Sequence, residues 1–161
     1  MADEVLDAVA ALATPHELIA CDPDLADTAA FCEAYGYELD DSANTIVVVG
    51  KSKPPVFVAC IVLASTRLDV NGEVRRRLGV RKASFASGEQ TADITGMTIG
   101  GVTPFGLPPD MAVWVDAAVL ERESVVLGGG TRHRKIVAAP SILTDMSNVE
   151  IVEGLARLIY H

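Results

Sequence analysis

"TIVVVGKSKPPVFVACIVLA", residues 45–64, decides the fold. Two β-branched, almost uninterrupted apolar runs, "TIVVVG" and "VFVACIVLA", flank the polar "KSKPP". A strand with one wet face alternates apolar and polar residues. These runs do not alternate, so both are expected as buried strands covered on each side. The two prolines between them fit a ladder poorly, which makes residues 51–55 a turn or loop.

Upstream, residues 3–13 carry Val5, Leu6, Val9 and Leu12 at helical spacing. "HELIAC" is a short strand candidate, and the alanine-rich segment from Asp24 to about Tyr35 reads as a helix stopped by Gly36. Downstream, Asp69 is placed to cap a helix over residues 70–78 that Gly79 closes. "KASFA" is a strand, and Ser87 with Gln90 has the spacing of a capping box before another short helix. The strand "MAVWV" follows, then a turn or short helix from Asp116. "SVVLGGG" and "RKIVAA" read as strands joined by a Gly-rich turn, Pro140 opens a short helical piece, and the tail is expected to hold a strand and a last helix. Strands outnumber helices and the two are mixed irregularly. The expected class is α/β with a mixed, strongly curved, barrel-like sheet surrounded by helices, in one domain over residues 1–161.

Half of the 161 residues are apolar, so the chain can bury a core. No apolar run approaches the roughly 20 residues of a spanning helix. Asp3 and Glu4 stand where a secretory leader would be basic, and a cytoplasmic location is expected. Cys21, Cys32 and Cys60 form no C-x-x-C pair and are expected to be reduced and mostly buried. The net charge of −9 argues against general nucleic-acid binding. Its distribution is uneven. Residues 1–50 hold eleven acids and no Lys or Arg, whereas the remainder holds thirteen basic and eleven acidic residues. Arg75, Arg76, Arg77, Arg81 and Lys82 form one basic cluster, and Arg132, Arg134 and Lys135 another. Such clusters either grip phosphates or are a solvated helix face and a strand end.

Familiar catalytic signatures are missing. "GGVTPFG", residues 100–106, lacks the Gly-Lys-Ser/Thr ending of a phosphate-binding loop, and "GGGTRHRK" lies between two strands and opens no helix. His16, His133 and His161 are scattered, so neither zinc nor another cofactor is expected. There is no G-x-S-x-G elbow and no Cys coupled to a His. Hydrolysis would have to rest on backbone dipoles, one or two polar groups, or the substrate's own hydroxyl. The glycine–proline loop has two readings, a connector between strands or a binding surface made of main-chain amides. Trp114 between Val113 and Val115, like Cys60, reads as packing. Asp116 reads as a cap or turn residue, and His133 as an exposed strand end.

"TRLDVNGEVRRRLGVRKASFAS", followed by "TGMTIGGVTPFGLPPDMAVWVDAAVLERESVVLGGGTRHRKI", resembles the YbaK family of prolyl-tRNA-synthetase-associated editing domains. The matched features run in order from about residue 42 to 140. They are Leu68-Asp69 before a basic helix, the L-G-V-R-K-x-S-F-A segment, the T-G-x-x-x-G-G-V-x-P-F-G loop, Val115-Asp116 and the G-G-G-x-R turn. The resemblance implies a barrel-like α/β fold and hydrolysis of the ester of a mischarged aminoacyl-tRNA, with the terminal ribose hydroxyl assisting. It makes Gly100, Gly101, Thr103, Pro104, Phe105 and Gly106 one pocket wall, and Gly129, Gly130 and Thr131 a second. It also makes Arg75, Arg76, Arg77, Arg81, Lys82, Arg132, Arg134 and Lys135 tRNA contacts. Aminoacylated tRNA and an aminoacyl-tRNA synthetase are the implied partners; membrane and DNA are not.

The chain departs from the family's pattern at one position. Related chains open the central strand with Lys-Thr and use that lysine in the active site; here "SANTIVVV" puts Asn44 there. Losing a charge-assisted bond would remove about 3 kcal/mol of transition-state stabilisation. Lys51, seven residues on, would lie roughly 23 Å away along an extended strand and on its opposite face. Lys53 has the same parity, so neither is expected to substitute. Asn44 as an altered catalytic group in a deacylase, a non-catalytic module for tRNA ends, an amino acid or a synthetase, and an unrelated small-molecule function are the readings carried forward.

Overall fold

The computed structural model describes residues 3–159, so His161 lies outside the described residues. The first half of the chain runs α1 (Glu4–Ala10), β1 (His16–Ala20), α2 (Thr28–Tyr35), β2 (Ala43–Gly50), β3 (Val56–Leu63), β4 (Thr66–Leu68) and α3 (Arg75–Leu78). There follow β5 (Ala83–Phe85), α4 (Gly88–Thr95), β6 (Ala112–Asp116), β7 (Val125–Gly128), β8 (Arg134–Ala138), α5 (Ser141–Thr144), β9 (Val149–Val152) and β10 (Ala156–Leu158).

The quoted apolar runs are β2 and β3, paired antiparallel along their whole length from Ala43 opposite Leu63 to Gly50 opposite Val56. β5 adds antiparallel to β2, while β6 and β9 extend the sheet in parallel, giving the order β5-β2-β3-β6-β9. Both faces are covered, as the lack of alternation required. Ala59, Ile61 and Leu63 of β3, with Val113 and Val115 of β6, face a core completed by Val5, Val9, Phe105, Leu127, Ile136 and Leu143. The alternate residues Val58, Cys60, Val62 and Trp114 face a second core, capped by Leu68, Val70, Val74 and Leu155. Burial pushes the Cys60 thiol up to about 12, consistent with an inert core residue.

The α/β class stands, and the sheet is mixed. The barrel-like closure does not appear. The strands form three open sheets, because β7 and β8 pair with β1 instead of continuing from β2, and β4 pairs separately with β10. One isolated parallel bridge, Ser42 to Val126, joins the two larger sheets. No ladder continues from it among the described residues, and a seam is left between β2 and β7.

The helices expected over residues 3–13 and from Asp24 to Tyr35 are shorter, Glu4–Ala10 and Thr28–Tyr35, the latter preceded by a separate 3-10 turn at Pro23–Leu25. Asp3 caps α1, Ser87 and Gln90 exchange both bonds of a capping box at 3.0 and 2.9 Å, and Gly36, Gly79 and Gly96 end their helices. Residues 70–78 start with a wide π turn, Val70–Val74, held by the Asp69 carboxylate. The last helix expected in the tail is instead strand β10. Gly154, at φ 74°, turns the chain after β9, and buried Asp116 accepts the Leu155 N–H at 3.2 Å, setting up the pairing with β4. No helix among the described residues is long and apolar enough to cross a membrane.

Candidate functional site

The seam holds a cavity of about 360 Å³. The start of β2 forms one side, with Asn44 and Thr45. The end of β7 and Lys135 of β8 form another, and Thr28 and Phe31 of α2 a third. Ile99, Gly100 and Val102 cross it, and Phe85 stands at its edge. Phe85 is 56% exposed and Ile99 55%, so these two apolar side chains mark its mouth.

Asn44 is therefore on the cavity wall. Its Oδ1 accepts a 2.6 Å bond from the Thr28 hydroxyl, which leaves the two N–H donors of its amide for a ligand. Next to it the buried Thr45 hydroxyl has no partner among the described residues. Lys51 and Lys53 border a separate surface depression with Ser84 and Gln90 and do not reach Asn44's cavity.

A lysine does reach it, from the other sheet. Strand parity in β8 sends Ile136 and Ala138 into the main core. Lys135 and Val137 go to the opposite face, beneath α2. There the Lys135 ammonium donates to the Ala26 carbonyl at 2.6 Å and the Gly100 carbonyl at 2.9 Å, and lies 5.4 Å from the centre of the Phe31 ring. Only 6% of the residue is exposed, and burial holds its pKa below the ordinary 10.5. Sequence reasoning placed Lys135 among surface phosphate contacts. The missed signal was strand parity: in Arg134–Ala138, Lys135 shares a face with Val137, and that face is covered by α2.

The expected walls are only partly realised. From the glycine–proline loop, Gly100 lines the cavity, whereas Gly101 is pressed against the turn after β7. A Cβ there would come within 2.6 Å of the Thr131 carbonyl carbon. Thr103 is fully buried with its hydroxyl unpartnered among the described residues, and Phe105, expected on the pocket wall, is 1% exposed in the main core. Pro104 and Gly106 border a different depression near α1. The loop turns inward because Val102 and Phe105 are apolar and buried, a stronger force than the rigidity its prolines provide. Gly129, Gly130 and Thr131 are not on the cavity either. Gly129 accepts from Arg134 at 2.7 Å, Gly130 donates to Gly101 at 2.7 Å, and Thr131 accepts from the His133 amide at 3.2 Å. Gly128, one residue earlier, provides that wall.

The second basic cluster is largely internal. Arg132 donates to Pro23 and Ile99 carbonyls at 2.9 and 2.8 Å and pairs with Asp27 at 3.0 Å, fastening the loop before α2 to the loop over the cavity. Arg134 pairs with Asp3 at 2.8 Å. The first cluster stays outside. Arg76 and Arg77 pair with Glu73, Arg77 also with Glu150, and Arg81 and Lys82 are exposed.

The cavity sits where two open sheets meet, lined by the polar side chains of Asp27, Thr28, Ser42, Asn44, Thr45 and Thr91 and by the buried Lys135, in an α/β domain, and its volume is in the range of small-ligand sites. The family model of the aminoacyl-tRNA editing domain matches residues 22–145, spanning every wall of the cavity. This chain belongs to the aminoacyl-tRNA editing domain family, the family of YbaK-like proteins. Among curated proteins it is 28% identical over 115 residues, 71% of each chain, to the uncharacterized protein YwhH of Bacillus subtilis (strain 168). The crystal structure of the hypothetical protein APE2540 superposes with a TM-score of 0.84 at 20% identity, covering 96% of this chain and 100% of that one. A structure described as "a putative trans-editing enzyme for prolyl tRNA synthetase" superposes with a TM-score of 0.75 at 23% identity, covering 88% and 86%. At these identities the structural likeness establishes the fold.

Proposed function

We propose that the chain is a deacylase acting in trans, which takes the aminoacyl end of a mischarged tRNA into the seam cavity and hydrolyses its ester. The observation that carries this is the convergence of Asn44, Gly100 and Lys135 on one cavity of about 360 Å³ in an editing-family chain. That volume is at the small end of ligand sites, suited to a compact aminoacyl group. An aminoacyl ester is already activated, so a site without a strong nucleophile is adequate if it orients the ester and a water and holds the developing oxyanion. Asn44, with its oxygen engaged by Thr28, presents N–H donors to the substrate, and the tRNA's terminal ribose hydroxyl assists. Phe85 offers its exposed face to the terminal base. Arg75, Arg76, Arg77, Arg81 and Lys82 meet phosphates. Their existing surface ion pairs are each worth about 0–1 kcal/mol and are readily exchanged. The partners are aminoacylated tRNA and, by likeness to the trans-editing structure, a prolyl-tRNA synthetase; the setting is cytoplasmic.

The test is amino-acid release from alanyl-, cysteinyl- and seryl-tRNA by the purified protein. At least one is expected to be hydrolysed tenfold or more above the buffer rate. No release from any of them, with tRNA still bound, would instead favour a binding module without chemistry.

A further inference from the structure

Lys135 is a charge without a counter-charge. No carboxylate forms a salt bridge with it among the described residues, and Asp27, the carboxylate on the cavity wall, is taken by Arg132. Two of its three N–H donors go to the neutral carbonyls of Ala26 and Gly100, which leaves one. Tying down two carbonyls does not require a charge; a neutral donor would do so without the penalty of burying an ammonium. Lys135 lines the same cavity as Asn44, and its ammonium is bonded to the carbonyl of Gly100, another lining residue.

Building on the deacylase reading of this cavity, we infer that Lys135 is a catalytic residue whose remaining N–H contacts the ester carbonyl oxygen of the substrate. Water attacks the carbonyl carbon, a C–O bond forms, and the carbonyl π pair moves onto the oxygen, which Lys135 stabilises as an oxyanion. Collapse of the intermediate breaks the bond to the ribose oxygen. That oxygen leaves with a proton from the attacking water, releasing the free amino acid and a ribose hydroxyl. Lys135 stays protonated throughout, and the two carbonyls that grip it fix its position before substrate arrives.

The first measurement needs no variant. The chain has four lysines, Lys51, Lys53, Lys82 and Lys135. With alanyl, seryl or cysteinyl amide analogues of 3′-aminoacyl-adenosine, the ζ-nitrogen NMR resonance of Lys135 is expected to shift while the other three stay in place. An unmoved Lys135 resonance at saturation, or no binding of any analogue, overturns the inference. The second is kinetic. Lys135→Met is expected to slow single-turnover deacylation at least 100-fold, and adding Asn44→Lys, which returns a cation to the same cavity, to recover at least tenfold. A folded Lys135→Met protein that keeps the wild-type rate overturns it. If the Lys135 resonance shifts but no mischarged tRNA is hydrolysed, the ligand contact of Lys135 stands, while the deacylase reading falls and the catalytic role of Lys135 with it.

Discussion

Burial, the largest influence on Lys135, lowers its pKa, and the Arg132 charge acts in the same direction. Asp27 pushes it back up, as would Cys21 and Cys32 if ionised; burial raises both thiols, so they stay protonated and uncharged at neutral pH. Two opposite pH slopes follow. Deacylation that needs the ammonium is expected to fall as pH rises through the folded-state pKa, which lies below 10.5. Stability is expected to rise over the window from that pKa to 10.5, because there the unfolded chain holds a proton that the folded chain has lost. Rates and urea midpoints measured from pH 7 upward check both, and Lys135→Met should flatten both. A rate that climbs across that window would contradict a cationic role. Phe85 gives a second test at this scale. Its exposed ring packs little, so Phe85→Ala should leave the urea midpoint nearly unchanged while weakening a nucleoside-containing analogue by about 1–3 kcal/mol, as read by calorimetry.

Among elements, the contact that shapes the site is the docking of the loop over residues 98–106 onto the turn after β7. A Cβ on Gly128 would run into the Val102 carbonyl, and one on Gly101 into the Thr131 backbone. These glycines allow two main chains to touch, and Val102 and Gly128 then line the cavity together. Gly128→Ala is expected to destabilise the fold by about 1–3 kcal/mol, the usual range for overpacking. It should also displace the Val102 wall, so that the denaturation midpoint and analogue affinity fall together; a variant in which both hold steady would contradict the close approach. The sequence motifs were legible here but their purpose was not, because a glycine that admits a ligand and one that admits a neighbouring strand are spelled alike. β2, β3, the capping box and the helix-ending glycines could be read directly, since apolar pattern and caps are local. Lys135's place in the cavity, the inward turn of Phe105 and the β4–β10 pairing depend on which distant segments meet, and local spacing does not encode that.

At the level of the whole molecule, the charge asymmetry is partly an internal device. Asp3, Asp27 and Asp41 from the acidic third pair with Arg134, Arg132 and Arg122 at 2.8 to 3.0 Å, joining the two ends of the chain. Those arginines are committed to the fold, and in the proposed function the phosphates fall to the surface cluster of half-buried Arg75 with exposed Arg76, Arg77, Arg81 and Lys82. The cavity and this surface should then separate experimentally. Replacing Arg75, Arg76 and Arg81 together with Ala removes no pairing within the main core, and the variant is expected to bind an aminoacyl-adenosine analogue as the wild type does. Its affinity for tRNA should fall, and the slope of log affinity against log salt should become shallower by about 0.7–0.9 for each phosphate that the variant no longer neutralises. Filter binding of tRNA across a salt series, beside calorimetry of the analogue, resolves the two effects. An unchanged salt slope would mean that tRNA reaches the cavity without crossing this basic surface.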